Sequence, residues 1–197
     1  MKKQLTVDDI MEWVMCKEWS REKVQEKFGK RKTVTPLQLA GAEGVSAQDK
    51  LWILLRPEII PKKELQFLAC DFAEDVLPIF EKEYPDDKRL RQAIEAKRKW
   101  ARGEISDEQM VEARNAARVA AWTASTTSAV DVVVGAAWVA ARAARDATWT
   151  VIDAAWTAAN VAGVTWDSAR NVWIDEQGAR DAAWNRYLKM TIKVLGE

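Results

Sequence analysis

Downstream of Pro85 the chain contains no proline, and from Asp107 onward alanine dominates. Alanine is the strongest helix former, and proline is the residue that helix interiors tolerate least. Indoles punctuate the alanines: seven of the 11 tryptophans follow residue 120, and Ala-Ala-Trp recurs at 120–122, 136–138, 154–156 and 182–184. A disordered low-complexity segment would not hold so many tryptophans. Alanines with interspersed Trp suit helices that approach closely, each ring filling space the small residues leave. Breaks are expected at 125–128 and at Gly163, giving long helices over about 107–124, 129–161 and 166–194.

The first half carries explicit start and stop signals. Thr6 caps a helix to about Lys17, and Ser20 caps another that ends at Gly29. Thr35 before Pro36 opens a short helix that stops at Gly41 or Gly44. Ser46 with Asp49 resembles a capping box for a helix through Leu55 that Pro57 ends. Pro61 suits the first position of the next helix, which carries Leu65, Leu68, Phe72 and Val76 on one side and which Pro78 is expected to kink or end. Pro85 starts a helix to about Ala101, and Ser106 with Gln109 forms a further capping box. The expected class is all-α: a multi-helix bundle with residues 1–45 as an N-terminal appendage and 46–197 as the bundle domain.

Length and charge bound the function. A chain of 197 residues can bury a core without disulfides or metals. Lys+Arg and Asp+Glu both number 30, so overall charge favours neither nucleic acid nor an acidic partner. Residues 1–63 are nonetheless basic, with 13 cationic and 9 anionic side chains. Cys16 and Cys70 match no metal or redox spacing, and no stretch reaches the roughly 18 apolar residues of a membrane span. Reduced thiols and a cytoplasmic location are expected. Histidine is absent, which removes the commonest metal ligand and neutral-pH base. No glycine-rich phosphate loop occurs, so neither a cofactor, a metal site nor an enzyme is expected.

The residues that carry information lie in the late helices. On a helix over 129–161, Trp138, Arg142, Arg145, Trp149, Asp153 and Trp156 fall on one face, opposite Ala140, Ala143, Ala147, Ala154 and Ala158. On the last helix Trp166, Arg170, Trp173, Arg180, Trp184 and Tyr187 gather likewise. Either the Trp sides are core, with Arg stems lying along indoles, or the alanine sides pack the helices together and the Trp/Arg/Asp faces line a binding groove. An alanine face also suits a homo-oligomer seam.

Other clusters weigh less. Asp71, Glu74 and Asp75 share a helical face, best read as solvated beside a core Cys70. The basic run Lys27–Lys32 could meet phosphates, but no recognition-helix chemistry or second basic stripe accompanies it, so nucleic-acid binding is disfavoured. Leu51–Leu55 reads as core.

The series Leu68-Ala-Cys-Asp-Phe-Ala-Glu-Asp-Val-Leu-Pro-Ile-Phe-Glu81, then Tyr84-Pro-Asp-Asp-Lys, Arg91-Gln-Ala-Ile-Glu-Ala and Lys99-Trp-Ala-Arg-Gly-Glu-Ile-Ser106, followed by the alanine-rich tail, resembles a helical family of putative immunity proteins. Relatives also occur among uncharacterised phage and mobile-element proteins. The resemblance spans roughly residues 50–160 and implies a helical protein that neutralises a toxin, or antagonises a host or rival effector, by binding. Two further expectations stand beside it: sequestration of a signalling nucleotide, with indoles on the base and Arg142, Arg145, Arg170 or Arg180 on phosphate, and a structural or self-associating module.

Overall fold

The computed structural model describes residues 1–13, 18–127, 131–143, 150–162, 164–167, 172–175 and 177–196. Cys16 lies outside the described residues. Among them the chain is a helical bundle whose local starts follow side-chain chemistry. Thr6 and Asp9 exchange hydrogen bonds at the head of α1 (Val7–Trp13), the Asp9 amide donating to Thr6 Oγ1 over 3.1 Å and the Thr6 amide to Asp9 Oδ2 over 2.9 Å. Ser20 caps α2 (Arg21–Phe28), which Gly29 closes at φ +60°. A complete capping box of Thr35 and Gln38 starts α3 (Pro36–Ala40), and Ser46 caps α4 (Ala47–Leu54). Leu5 and Val34 pair as an isolated antiparallel bridge that ties the N-terminal strand of chain to the segment between α2 and α3.

The longest helix is α5 (Lys62–Glu83), and it organises the core. It buries Leu65, Leu68, Phe72, Val76, Leu77 and Phe80 along with three small residues. Pro78 neither ends nor replaces it; the helix runs on for five further residues to Glu83. The lost bond to the Glu74 carbonyl and the ring clash cost about 3 kcal/mol, which burial of Leu77 and Phe80, at about 1.5–3 kcal/mol each, offsets. The next helix, α6 (Arg89–Arg102), begins later than Pro85 and stops at Gly103 in the left-handed conformation, φ +78°. α7 (Asp107–Thr127) starts at the Ser106–Gln109 box.

The alanine-rich half departs from the expected three helices. In place of one helix over 129–161 the chain forms α8 (Asp131–Ala143) and α9 (Thr150–Ala162), which pack against each other and both against α5. Two halves of one straight helix cannot lie side by side, so the packing of α8 on α9 excludes a single helix over 129–161. Packing onto α5 outweighs a local sequence that contains no breaker. The alanines make that packing close: Ala136, Ala137, Ala143, Ala154, Ala155, Ala158 and Ala159 are buried. A Cβ on Gly135 would stand 2.8 Å from Val161 Cγ2.

The expected helix from 166 is also corrected. Val164–Asp167 (β1) and Val172–Asp175 (β2) form a small antiparallel hairpin, with Trp166 opposite Trp173, before α10 (Gln177–Gly196). Val, Thr, Ile and Trp favour a pleated backbone, and a seven-residue Trp spacing fits facing strand positions as well as one helical face.

The acidic cluster on α5 is a set of braces rather than a freely solvated face. Asp71 and Glu74 both accept from Arg98 on α6, at 2.6 and 2.7 Å. Glu81 takes a two-pronged bond from Arg91, and Asp75 accepts from Arg186 and Tyr187 on α10. No helix among the described residues is long and apolar enough to cross a membrane.

Candidate functional site

The N-terminal helices enclose a groove of about 870 Å³ whose far wall is Trp156 on α9. Its floor is apolar, made by Ile10, Val24, Phe28, Val34, Leu39 and Ile53. Trp19 and Trp52 complete an aromatic lining with Trp156. The position of α1 against α4 is fixed at one carbonyl: Trp13 O accepts from the Trp52 indole over 2.8 Å and from the Arg56 guanidinium over 3.2 Å. Arg56 is buried and also lies 5.1 Å from the Trp13 ring centre. A guanidinium stacked on an indole keeps its charge while shedding water.

A second device shapes the mouth. Lys27 on α2 donates through Nζ to the Glu43 carbonyl over 3.1 Å, holding the 41–45 loop across the groove. Gly44 makes this possible in two ways. Its φ of +64° is one that side-chain-bearing residues avoid, and a Cβ there would meet Lys27 Nζ at 2.8 Å.

Trp156 is 45% exposed although it belongs to the alanine-packed bundle. Its neighbours explain the pose. Ala154, Ala155, Ala158 and Ala159 face inward, so the indole stands on the outer side of α9. Trp184 of α10 supports it edge-on, with ring centres 5.9 Å apart. Trp184 in turn contacts Tyr187, whose fully buried hydroxyl donates to Asp75 over 3.0 Å. Burial, with the Asp75 carboxylate beside it, pushes that phenol well above the usual tyrosine range. Tyr187 thus links α10 to α5 as a buried strut. Cys70, the buried thiol, is pushed up to about 12, chiefly by burial, and is inert for the same reason.

Of the residues singled out from the sequence, the side chains of Trp138, Trp156, Arg180 and Trp184 are described, and these do not all meet in one place. Of them, Trp156 alone lines the groove. Trp184 is its buried support. Trp138 is half-buried and donates to Ser125 Oγ on α7 over 3.1 Å, which joins two helices rather than forming a site. Arg180 bonds to Gln177 Oε1 on its own helix over 3.0 Å. Arg145, Trp149 and Arg170 lie outside the described residues, as do the side chains of Arg142, Asp153, Trp166 and Trp173. The single helices on which those faces were drawn are not formed: α8 and α9 are separate, and Val164–Asp167 and Val172–Asp175 are strands. Sequence reasoning missed Trp19 and Trp52. The only local signal was two indoles close to the basic α2, and Trp52 sat inside an apolar run that reads as core.

Among the described residues no three potential metal ligands cluster. The groove itself is a trough whose aromatic lining is Trp19, Phe28, Trp52 and Trp156. No curated protein and no solved structure matches the chain. A family model described as Imm-5 like putative immunity protein matches residues 57–166, from the segment before α5 to Trp166 in β1. With more than half of its length inside that match, the chain belongs to the Imm-5 like putative immunity protein family.

Proposed function

We propose that this protein neutralises a protein effector by binding alone, without catalysis, and that the groove between the N-terminal helices and α9 receives part of that effector. The exposure of Trp156 at the wall of a preformed apolar trough carries this reading. Tryptophan in a concave, largely desolvated setting is the commonest kind of binding hot spot. Here it is held from behind by Trp184, so little ordering remains for the partner to impose. An immunity-type family is in keeping with a protein partner. A counter-defence role in a phage would use the same surface. Of the arginines named for the nucleotide reading, Arg180 lies away from the groove, and the side chains of Arg142, Arg145 and Arg170 are outside the described residues.

The test uses the effector identified by affinity capture on the full chain. Trp156→Ala should weaken capture about 30-fold, the equivalent of a 2 kcal/mol hot spot. Its stability should change by no more than about 1.5 kcal/mol, the worth of one aromatic pair. Trp122→Ala, which removes an indole exposed to 66% on α7, should leave capture unchanged. Undiminished capture by Trp156→Ala would remove the groove from the mechanism.

A further inference from the structure

One side of α7 faces away from the bundle. Its alanines are spent on packing: Ala117, Ala120, Ala121 and Ala124 are buried, so they offer no seam to another chain. The outer side carries Val111, Val119 and Trp122, all exposed. At 100° per residue these three, with exposed Asn115 between them, fall within an arc of about 80°. Large apolar side chains gathered on one exposed face mark a contact surface. Charge is segregated along the same helix: Asp107, Glu108 and Glu112 precede Ala113, and Arg114 and Arg118 follow it. At the acidic end lies a shallow hollow of about 460 Å³, lined by Asp107, Glu108, Val111, Glu112 and Asn115. At the other end the hydroxyls of Thr123, Ser125 and Thr126 donate to carbonyls of their own helix over 2.9, 2.8 and 2.9 Å. Hydroxyls bonded in this way cost less to cover.

We propose that the outer face of α7 binds a second copy of this chain, the two α7 helices lying antiparallel about a two-fold axis at Asn115. That register brings Trp122 of each copy level with Glu108 of the other, and so over its hollow. Val119 comes level with Val111, and Arg118 with Glu112. The acidic half of each helix meets the basic half of its partner, and each indole meets a recess. One surface thus supplies both sides of the contact, as an isologous interface requires. A parallel pairing would set acids against acids and leave both hollows unfilled. The seam is short. A helix of 21 residues is about 31 Å long. One such pair buries less than the roughly 1,600 Å² of a standard interface, so the dimer is weak and concentration-dependent. No residue lining the groove belongs to α7, so effector and second copy use separate side chains.

Sedimentation velocity of the full chain tests this over about 5–500 µM, a range that brackets weak association. The weight-average mass should rise from one chain toward two. Trp122→Glu, checked for folding by circular dichroism, should weaken that association at least about tenfold. Arg118→Glu should weaken it too, by setting acid against acid, and Glu112→Arg/Arg118→Glu should restore it. Helix stability alone would not produce that recovery. Register is read by cross-linking in a Cys16→Ser background. Asn115→Cys should form an intermolecular disulfide on mild oxidation, and Val111→Cys should not. In an antiparallel pair centred on Asn115 the two copies of position 111 stand about 12 Å apart along the seam, whereas a disulfide needs Cα atoms within about 7 Å. A mass that stays at one chain throughout, association that survives Trp122→Glu, or equal cross-linking at the two positions would overturn the proposal. Loss of effector capture in Trp122→Glu with no change in mass would assign the face to the effector and overturn it as well.

Discussion

The contact most open to quantitative attack joins the family segment to the last helix. Tyr187 is fully buried, its ring centre 4.7 Å from that of Phe72, and its hydroxyl donates to Asp75 Oδ2 over 3.0 Å. The same oxygen accepts from Arg186 at 2.7 Å. Tyr187→Phe keeps the ring and removes one donor, while Asp75 retains Arg186, so no buried group is orphaned. The loss should be about 1.5 kcal/mol, the low end for a hydrogen bond to a charged group. Asp75→Ala is worse, because it strands a buried phenol hydroxyl at about 1–3 kcal/mol and releases a part-exposed ion pair worth at most about 1 kcal/mol. Once Asp75 is gone, Tyr187→Phe should cost nothing further or restore some stability, since it deletes the stranded donor. The double-mutant cycle should thus show coupling of about 1.5 kcal/mol or more. Urea denaturation followed by tryptophan fluorescence and circular dichroism reads it, with a fall of about 3–6 °C in Tm for Tyr187→Phe as a cross-check. Additive effects within about 0.3 kcal/mol would refute the strut between α5 and α10.

Three other outcomes follow from particular contacts. Gly135→Ala should cost about 1–3 kcal/mol through overpacking, less in a Val161→Ala background; an unchanged urea midpoint would mean that α8 and α9 do not meet there. Glu74, Glu81 and Asp87 are held below their ordinary values of 4.5, 4.5 and 3.8, mainly by hydrogen bonds from Arg98, Arg91 and Arg89. Depressed carboxylates add stability above their unfolded values and lose it as pH falls through the folded ones, so Tm should hold to about pH 5 and then drop, less steeply in Arg91→Gln. In a Cys16→Ser background, Cys70 should resist thiol reagents at pH 8 until the protein unfolds, because burial pushes it up to about 12 and closes access; prompt labelling of the folded protein would contradict its place in the core.

Helix starts were legible because capping is chemistry within four residues. Thr6 with Asp9, Thr35 with Gln38 and Ser106 with Gln109 all bond as their spacing implies. What the sequence could not convey was settled over longer range. No proline or glycine between Gly135 and Gly163 announces two helices rather than one, and their separation as α8 and α9 goes with the burial that both gain on α5. Segregation by size held on α9, where Ala154 and Ala158 are buried and Trp156 is exposed. It inverted on α10, where Ala182 is exposed and Trp184 buried. The two helices have the same Ala-Ala-Trp triplet and differ in what lies against them: α10 packs on α4 and α3 as well as α9, so its indole has somewhere to go. Trp52 was legible as apolar, but its role depends on α2 and the 41–45 loop standing opposite it.

The groove and the family segment overlap in one residue. Among the residues lining the groove, Trp156 falls within 57–166, and the others all lie at or before Ile53. The matched segment supplies α5 to α9, packed through alanines and braced by arginines, and Trp156 is the groove-lining indole that segment contributes. The other two indoles, the charged side chains and the Lys27-held loop belong to α1–α4 and their connections. The family match therefore covers the alanine-packed helices, while most of the groove's lining comes from the N-terminal helices. α3 and α4 contact α10, and α10 props Trp156 through Trp184, so the two sides of the groove are joined through one helix that lies outside the match. A substitution that loosens α10 should disturb recognition without touching a single groove residue, which is what separates a shared scaffold from a specific binder in this chain.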